Sequence, residues 1–443
     1  MQVITPHIKG GLTLNHTRNE KLDQVQRDTL VIGIDIAKFK HFACAFDDRG
    51  RELEKPFPVL QSIEGFHQFL EKVETFKREH QKTDVIIGFE PTGHYWMNLA
   101  EFLRKHEILY VMVNPLHVNR AKEFEDNLQT KNDQKDSRVI ARMVSQGYFT
   151  YPRVLTGIEA ELREGSAHRN HLKKEKARLS NKIIQWLDRY FPELIGQAFK
   201  DIGRTVVGIL KYVPLPEQWI DLEVDAFLTI LKDKEAFRCP SRKKIVEVHS
   251  LASQSIGLTE GTIFAKQKIQ WLISQYEQVC QSLEETRALM QELARELDAY
   301  EHLISIPGIS EDMVCELLAE AGPLTAYQHP RQLIKLAGLT LRENSSGQHR
   351  GRKKLSKRGR RHLRALLFRA TLTLIHNNQA FRDLYSHYIS RDENPLKKKE
   401  ALVVLGSKLL KVFWGLSHHK MAFDAERMRR DSPLLQSSAA LAS

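Results

Sequence analysis

The sequence predicts an α/β N-terminal domain, then a coiled-coil helical linker and a mainly α-helical C-terminal domain. Short apolar runs alternate with helical spacing over residues 29–157, which is typical of a sheet with crossover helices. A heptad pattern follows within residues 158–298, and basic helical patterns fill residues 299–427. We expect residues 1–28 to form a flexible lead-in and residues 428–443 a disordered tail.

The strands of the first domain are predicted from three apolar runs. TLVIGIDIA (29–37) is almost continuously apolar, which indicates a strand buried on both faces, and the following HFACAFDD with its Arg-Gly turn indicates a hairpin. DVIIGFEPTG (84–93) and ILYVMVNP (108–115) predict two further strands, and residues 95–106 between them have helical spacing. These elements predict a central mixed sheet.

Two apolar seams predict the coiled coil. The stronger seam alternates in steps of three and four, through Ile269, Leu272, Tyr276, Val279, Leu283, Thr286, Met290, Leu293 and Leu297. A weaker seam contains Leu172, Leu179, Ile183, Trp186 and Tyr190. The seams could pair with each other or with another subunit, and an intramolecular helical hairpin is equally consistent. Residues 192–262 between them predict an inserted helical subdomain.

Composition and charge favour a soluble protein with a polyanionic partner. The chain has 443 residues, 42% of them hydrophobic and 28% charged, which is typical of globular rather than disordered proteins. The net charge of +12 favours nucleic acid over a membrane surface where the charge is clustered. The four cysteines are far apart with no CxxC pair, which argues against disulfides and zinc sites and indicates the cytoplasm.

No membrane segment is expected. The N-terminus lacks the apolar core of a signal peptide. Residues 401–416 are the most apolar stretch, but Lys408 and Lys411 interrupt them, so a buried helix is predicted rather than a membrane span.

Four carboxylates in the first domain predict a metal site. Asp35 and Glu90 each end an apolar strand, and Asp133 and Asp136 share one face if their segment is helical. Carboxylates beside a buried sheet need a partner or a cation, and four together would form the all-oxygen site that Mg²⁺ prefers. Each signal alone is weak, because a lone aspartate at a strand end is more often a turn or cap residue.

The basic charge is clustered in the C-terminal domain. No acidic residue lies between Glu343 and Asp383, and leucines and glycines interrupt the basic run, which favours a structured phosphate-binding surface over a solvated tail. The nine lysines and arginines of this predicted surface are Arg350, Arg352, Lys353, Lys354, Lys357, Arg358, Arg360, Arg361 and Arg364.

The first domain resembles the RNase-H-like, RuvC-type nucleases and, more narrowly, the DEDD transposases of bacterial insertion sequences. The motifs that carry the resemblance are GIDIAK (33–38), EPTG (90–93), VNP (113–115) and KNDQKDS (131–137). Asn132 and Ser137 depart from the family's usual K-T-D-x-x-D-A, while both acids of that motif stay in register.

The C-terminal domain resembles the transposase domain of the same family. The matching motifs are IPGI (306–309), AGLTLR (337–342), Ser346-Gly347, SKRG (356–359), Leu363-Arg364 and MAFDAER (421–427), with Leu341 in place of a usual proline. The family's nucleophilic serine maps to Ser346, or to Ser345 if the register shifts by one. By composition alone, Asn-Ser-Ser-Gly is an ordinary loop. Residues 305–322 resemble a helix–hairpin–helix element, with a plain helix-to-helix turn as the alternative.

The resemblance implies an RNA-guided DNA recombinase. It implies Mg²⁺ at the four acids, donor and target DNA as substrates, a structured non-coding bridge RNA as guide, and a homo-oligomer (dimer or tetramer) associated with the nucleoid. In such an assembly the serine of a partner subunit completes the site, and a 5′-phosphoserine intermediate leads to strand exchange. Two alternatives remain. A junction endonuclease using water would need the acids but not Ser346, and a non-catalytic coiled-coil nucleic-acid binder would need none of them.

Overall fold

The computed structural model describes a chain of two compact units. The residues described are 17–122, 133–152, 154–234, 241–342, 345–346, 349–350 and 353–430. The N-terminal unit is Met1–Leu155 with Thr325–His329, and the C-terminal unit is Thr156–Leu324 with Pro330–Ser443. Apart from Thr325–His329, the segments 158–298 and 299–427, which the sequence predicts as separate domains, therefore belong to one unit.

The N-terminal unit is built on a five-stranded mixed sheet in the order β3-β2-β1-β4-β5. Its strands are β1 Thr29–Asp35, β2 Lys40–Phe46, β3 Phe57–Leu60, β4 Asp84–Phe89 and β5 Tyr110–Met112. β2 is antiparallel to both β1 and β3, whereas β1, β4 and β5 run parallel to one another. The predicted mixed sheet and its hairpin are confirmed.

Helices cover both faces of this sheet. They are α1 Arg18–Leu22, α2 Ile63–Glu79, α3 Trp96–Lys105, α4 Pro115–Ala121 and α5 Asp133–Ser145. Leu30, Ile32 and Ile34 of β1 pack in one core with residues of α2 and α3. Val31 packs in a second core, on the other face, with residues of α5. Because β1 is covered on both sides, its sequence is continuously apolar.

Part of the predicted flexible N-terminus is instead a helix. Residues 17–22 form α1 with its cap, in which Thr17 and Glu20 make a capping box. Nζ of Lys21 donates to the carbonyl oxygen of Phe149 at 2.6 Å, and the Arg18 guanidinium lies 4.2 Å from the centre of the Tyr148 ring. The prediction was wrong here because these partners lie far away in sequence. Residues 1–16 are outside the described residues.

Gly33 allows α5 to approach β1 closely. A Cβ atom on Gly33 would lie 2.2 Å from the backbone nitrogen of Ala141 and 2.4 Å from the carbonyl oxygen of Ser137. Only glycine therefore lets the backbones of β1 and α5 meet at this distance. The contact fixes α5, which carries two of the predicted acids, against the strand that ends at Asp35.

The C-terminal unit is helical apart from a small β-ribbon. Its helices are α6 Gly157–Tyr190, α7 Arg204–Tyr212, α8 Glu217–Ile220, α9 Val224–Lys234, α10 Arg242–Ala252, α11 Thr262–Arg295, α12 Ala299–Ile304, α13 Glu311–Ala321, α14 Pro330–Leu336, α15 Arg361–Asn377, α16 Gln379–Ser390, α17 Lys398–His419 and α18 Ala425–Arg430. The segment between the two seams thus contains α7 to α10. The mainly α-helical C-terminal region that the sequence predicts is confirmed.

The two seams lie on α6 and α11, helices of 34 residues each that pack along each other in one chain. The last predicted member of the stronger seam, Leu297, follows the end of α11. Ile183 and Trp186 of α6 share a core with Ile269 and Leu272 of α11 and with residues of α7 to α10. The intramolecular pairing is therefore the one that the structure contains. A coiled coil in the strict sense, and any pairing with another subunit, stay predictions.

An acidic helix joins this helix pair to the rest of the C-terminal unit. Glu316 of α13 accepts from Arg169 of α6 at 2.7 Å and also pairs with Arg369 of α15. Asp312 pairs with Arg169 at 3.1 Å and with Arg287 of α11 at 2.9 Å. Four helices are therefore fixed to each other by partly buried charges, which explains why the two predicted segments form one unit.

The same charges surround residues 305–322, for which the sequence leaves two interpretations. The first turn of α13 contains Glu311 and Asp312, and Glu311 is paired with Arg295 at 2.8 Å. Asp312 is likewise paired, with Arg169 and Arg287, so the carboxylates of this helix start are neutralised by arginines. Gly308 has a φ of +94°, which a turn between two helices accommodates. The segment contains a helix-to-helix turn, and phosphate binding by a helix–hairpin–helix element stays a prediction.

Within the described residues, one helix is long and apolar enough to cross a membrane by length and composition, and that is α17. Half of its most apolar window is buried inside the protein. Leu405, Leu409 and Leu410 are fully buried, and α17 packs against α15 and α16. This is the packing of a core helix. It agrees with the prediction of a buried helix, which was based on the two lysines that interrupt the apolar stretch.

We expect Gly33→Ala to lower the free energy of unfolding by about 1–3 kcal/mol, because the added methyl group forces α5 away from β1. Chemical denaturation monitored by circular dichroism measures this change. The matched control is Gly415→Ala in α17, where a Cβ meets nothing within 4 Å. The control is expected to raise the free energy of unfolding by about 0.5–1 kcal/mol, because alanine favours the helix. A Gly33→Ala protein as stable as the wild type would contradict the close approach.

Candidate active site

Asp35 and Glu90 lie at the same edge of the sheet. Asp35 is the last residue of β1 and Glu90 directly follows β4, and these parallel neighbours pair Ile34 with Phe89. The carboxyl ends of adjacent parallel strands meet at one edge, so the fold brings these two predicted acids together. Both are half-buried, and Thr92 donates a hydrogen bond to Oε1 of Glu90.

Asp136 lies on α5, the helix that packs on β1. Its side chain is only 7% exposed, and its Oδ2 accepts from Nζ of Lys122 at 2.6 Å. Its Oδ1 is buried and has no hydrogen-bond partner among the described residues. A buried carboxylate oxygen without a partner costs free energy, so this atom is suited to receive a cation or a donor.

The carboxylates of Asp35, Glu90 and Asp136 are of the chemical type that binds a hard divalent cation, but by themselves they do not form a complete metal site. No group of three or more His, Cys, Asp or Glu residues among the described side chains could hold a metal ion. Asp133, the fourth predicted acid, is the first residue of α5, and its side chain lies outside those described. The carboxylates and the unpartnered oxygen of Asp136 are the donor type that Mg²⁺ takes. The Lys122 ammonium group balances the other oxygen of that carboxylate.

A buried histidine connects the loops that follow Asp35 and Glu90. Nδ1 of His41 accepts from the backbone N–H of Ala37 at 3.1 Å, so Nε2 carries the proton and donates to Oε1 of Gln61. Nε2 of Gln61 then donates to the carbonyl oxygen of Tyr95 at 3.0 Å. The loop after β1 is thereby fixed to the loop after β4. Sequence reasoning missed His41, although a polar residue within an apolar strand was the available signal.

Burial lowers the pKa of His41 below its ordinary value of 6.5. Folding therefore favours the neutral imidazole, and protonation of Nδ1 would break the hydrogen bond from Ala37. Because the folded-state pKa is the lower one, the contribution of His41 to stability is complete above the ordinary pKa. It is lost as the pH falls through the folded-state value.

We expect His41→Phe to remove part of the acid destabilisation of the protein. The free energy of unfolding, measured between about pH 7.5 and about pH 5, should fall less steeply in this variant than in the wild type, because no neutral imidazole has to be protonated. The exposed His171 supplies the control for the substitution itself, because His171→Phe replaces a histidine that is not buried. An identical pH dependence in His41→Phe and wild type would show that His41 is not held neutral.

The predicted nucleophile lies in the β-ribbon of the C-terminal unit. β6 Leu341–Arg342 pairs antiparallel with β9 Lys354–Leu355, and β7 Ser345–Ser346 pairs antiparallel with β8 His349–Arg350. Ser346 is opposite His349 in this register. The backbone of Ser346 therefore lies further along the ribbon than the β6–β9 pair. The side chains of Ser345 and Ser346 are outside those described.

Two glycines close the base of the ribbon. A Cβ on Gly359 would lie 2.5 Å from the backbone nitrogen of Gly338, and Gly338 has a φ of +68°. The backbone N–H of Ser356 donates to the carbonyl oxygen of Thr340 at 2.8 Å. The glycines of the AGLTLR and SKRG motifs are therefore needed for a backbone contact that joins the two ends of the ribbon segment.

The predicted basic surface divides into exposed and structural residues. Nη1 of Arg364 donates to the carbonyl oxygens of Ala337 at 2.8 Å and Lys357 at 3.4 Å, and Arg360 pairs with Glu320 at 3.5 Å. Arg360 and Arg364 therefore hold the base of the ribbon, which a count of charges could not distinguish. The exposed members are Lys353, Lys354, Lys357, Arg358 and Arg361. The side chains of Arg350 and Arg352 lie outside those described.

Comparison with known proteins identifies the family. Residues 32–192, which contain β1, β4 and α5, match the family model of the DEDD transposases of the IS110 type, described as a transposase. Residues 300–386, which contain the ribbon, match a model described as "Transposase IS116/IS110/IS902 family". The chain belongs to the IS110 family of insertion-sequence transposases. The family resemblance predicted from the motifs is confirmed.

A curated relative is similar over almost the whole length of this IS110-family transposase. It is described as the "Transposase for insertion sequence element IS1111A" of Coxiella burnetii. The identity is 22% over 416 residues, which cover 93% of this chain and 96% of that protein. The sheet order and the matched first domain establish a RuvC-like N-terminal fold followed by a helical C-terminal region. As a transposase, the protein is a DNA-processing enzyme and DNA is its substrate.

Proposed function

We propose that this transposase cleaves and exchanges DNA strands under the guidance of a bridge RNA, with a serine nucleophile and Mg²⁺. Asp35, Glu90, Asp133 and Asp136 are the proposed metal ligands, and Ser346 is the proposed nucleophile. The observation that carries the proposal is the arrangement of the acids. Asp35 and Glu90 end adjacent parallel strands, and the helix fixed to β1 by Gly33 contributes a carboxylate with one unpartnered buried oxygen.

The four acids would hold the cation at the carboxyl edge of the sheet. When bound there, Mg²⁺ supplies positive charge that stabilises the attacking and leaving oxygens of a phosphoryl transfer. Asp136 would contribute its unpartnered Oδ1. Lys122 already neutralises the other oxygen of that carboxylate, which lowers the repulsion between clustered acids before the cation arrives.

Ser346 would form a covalent link to DNA. Its Oγ attacks a backbone phosphorus atom, the bond from phosphorus to the 3′ oxygen breaks, and the hydroxyl proton lost by the serine is balanced by the one that the leaving 3′ oxygen gains. The product is a 5′-phosphoserine and a free 3′-hydroxyl, which can attack a second strand after exchange. The exposed lysines and arginines from Lys353 to Arg361 would bind the neighbouring phosphates.

The guide and the assembly are part of the proposal. A bridge RNA would pair with donor and target DNA, and the protein would act in the cytoplasm at the nucleoid as a dimer or tetramer. In that assembly the serine of one subunit would act with the acids of another. The exposed basic residues would supply the nucleic-acid surface of such a complex, and the long helix pair would supply its assembly element.

The decisive experiment is the purification of the transposase co-expressed with the non-coding flanks of its element, followed by sequencing of the bound RNA. We expect one discrete structured RNA, and strand cleavage that requires this RNA and Mg²⁺ together. Cleavage that continues unchanged after ribonuclease treatment would refute the RNA guide. Cleavage that continues unchanged in excess EDTA would refute the metal site.

A further inference from the structure

A groove lies between α6 and α11, and no part of the proposed reaction uses it. Its volume is about 480 Å³. The lining side chains include Lys182, Gln185 and Arg189 of α6 and Lys268, Trp271 and Leu272 of α11. The three residues on each helix are spaced by one helical turn or less, so each helix presents one continuous face to the groove.

Two aromatic side chains are exposed on the face of α11 that contains Lys268, one of them in the groove and the other one beyond its lining. Trp271 lines it and is 56% exposed, and Phe264, on the same helix face seven residues earlier, is 77% exposed. Lys268 lies between them, four residues after Phe264 and three residues before Trp271. An indole and a phenyl ring separated by about 10 Å along the helix, with an ammonium group between them, form a stacking platform with a cation.

The groove is positively charged and its lysines are available. Neither Lys182 nor Lys268 belongs to an ion pair among the residues that the structure describes, whereas Asp188 is the one acid in the lining. The guanidinium of Arg189 lies 5.1 Å from the centre of the Tyr190 ring, which keeps it in place beside the groove. The surplus of cations is complementary to a phosphate backbone.

We propose that this groove binds an unpaired strand of RNA, with phosphates on Lys182, Lys268 and Arg189 and bases stacked on Trp271 and Phe264. A groove of this volume is in the range of small-ligand sites, and stacking on exposed rings needs bases that are not paired in a duplex. Unpaired loops whose bases stack on aromatic rings are the usual protein-binding elements of folded RNA, whereas the DNA substrate is double-stranded until it is cut.

A second copy of the chain is the competing occupant. A copy that used the same groove would bring two sets of three cations, Lys182, Arg189 and Lys268, into one interface with a single acid, Asp188, from each chain, and this surplus of like charge costs free energy. Only one part of this proposal rests on the proposed function, namely that the bound strand is RNA. The charge, the exposed rings and the size of the groove do not depend on the DEDD site.

The test measures binding of a fluorescent oligo-uridine to the full-length protein without Mg²⁺, so that no cleavage takes place. Trp271→Ala is expected to raise the dissociation constant about 5- to 150-fold, and Trp271→Tyr to restore most of the affinity. Lys268→Glu should reduce the slope of log affinity against log salt concentration by at least about 0.7. Ile256→Ala is the control, because Ile256 is 84% exposed and does not line the groove.

Three outcomes would overturn the assignment. Unchanged oligo-uridine affinity in both Trp271→Ala and Lys268→Glu, with melting temperatures equal to the wild type, would show that the groove binds no strand. Tighter binding of oligo-thymidine than of oligo-uridine, equally sensitive to Trp271→Ala, would replace RNA by DNA. Dissociation of an oligomer in Lys268→Glu, with strand affinity unchanged in sedimentation and anisotropy experiments, would assign the groove to a second copy. These binding measurements use neither Mg²⁺ nor a guide RNA. They can therefore be interpreted even if the ribonuclease or EDTA experiment refutes the proposed function.

Discussion

Asp35→Asn is expected to lower the rate of DNA strand cleavage by about 10²–10³-fold or more, because the neutral amide no longer stabilises a cation at the carboxyl edge of the sheet. Glu90→Gln should act in the same direction, since Glu90 follows the neighbouring strand at that edge. Both substitutions keep the size of the side chain, so the fold should be preserved. Cleavage rates on a labelled DNA substrate, together with calorimetric titration of Mg²⁺, measure the effect.

The control for this experiment lies on the same sheet. Asp84 is exposed and begins β4, so it lies at the opposite edge from Glu90. Asp84→Asn should leave both the cleavage rate and Mg²⁺ binding at the wild-type level. If Asp35→Asn binds Mg²⁺ as well as Asp84→Asn does, the acids at the carboxyl edge are not the metal ligands.

Ser346→Ala is expected to abolish the covalent protein–DNA adduct, because removal of Oγ removes the atom that would bond to phosphorus. DNA affinity should remain close to that of the wild type, since the phosphate contacts come from the exposed lysines and arginines around the ribbon. Denaturing gels after incubation with DNA measure the adduct, and fluorescence anisotropy measures the affinity.

Ser345→Ala is the matched control, one residue earlier in the same short strand. It should retain the adduct. Loss of the adduct in Ser345→Ala alone would shift the nucleophile by one residue. Strand cleavage at the wild-type rate in both variants, with dependence on Asp35, would instead favour the metal-dependent junction endonuclease that hydrolyses with water.

The helices and strands that lie near these residues could be predicted because their patterns are local. The continuous apolar run before Asp35 predicted a strand covered on both faces, and the helical spacing of residues 95–106 predicted α3. The N-terminal helix α1 could not be predicted. Its stabilising partners, Tyr148 and Phe149, are more than a hundred residues away, and the local sequence is polar.

The roles of individual side chains in the basic surface could not be predicted from the sequence either. Arg361 and Arg364 look equivalent in a charge count, yet Arg361 is exposed, whereas Arg364 donates to backbone carbonyls at the base of the ribbon. His41 is another case, since its hydrogen bonds to Ala37 and Gln61 depend on how three loops meet. Such roles depend on distances between residues, which no spacing along the chain contains.

The sequence by itself determined the family resemblance, the strands β1, β2, β4 and β5 with α3 between the last two, and the acids at the ends of β1 and β4, because these follow from short motifs and from apolar periodicity. Only the tertiary structure decided that the two long helices pair within one chain, that the carboxylates of α13 pair with arginines, and that one buried oxygen of Asp136 has no partner among the described residues. The physical reason is that burial and pairing of charges depend on which distant segments meet, and that is a property of the folded chain.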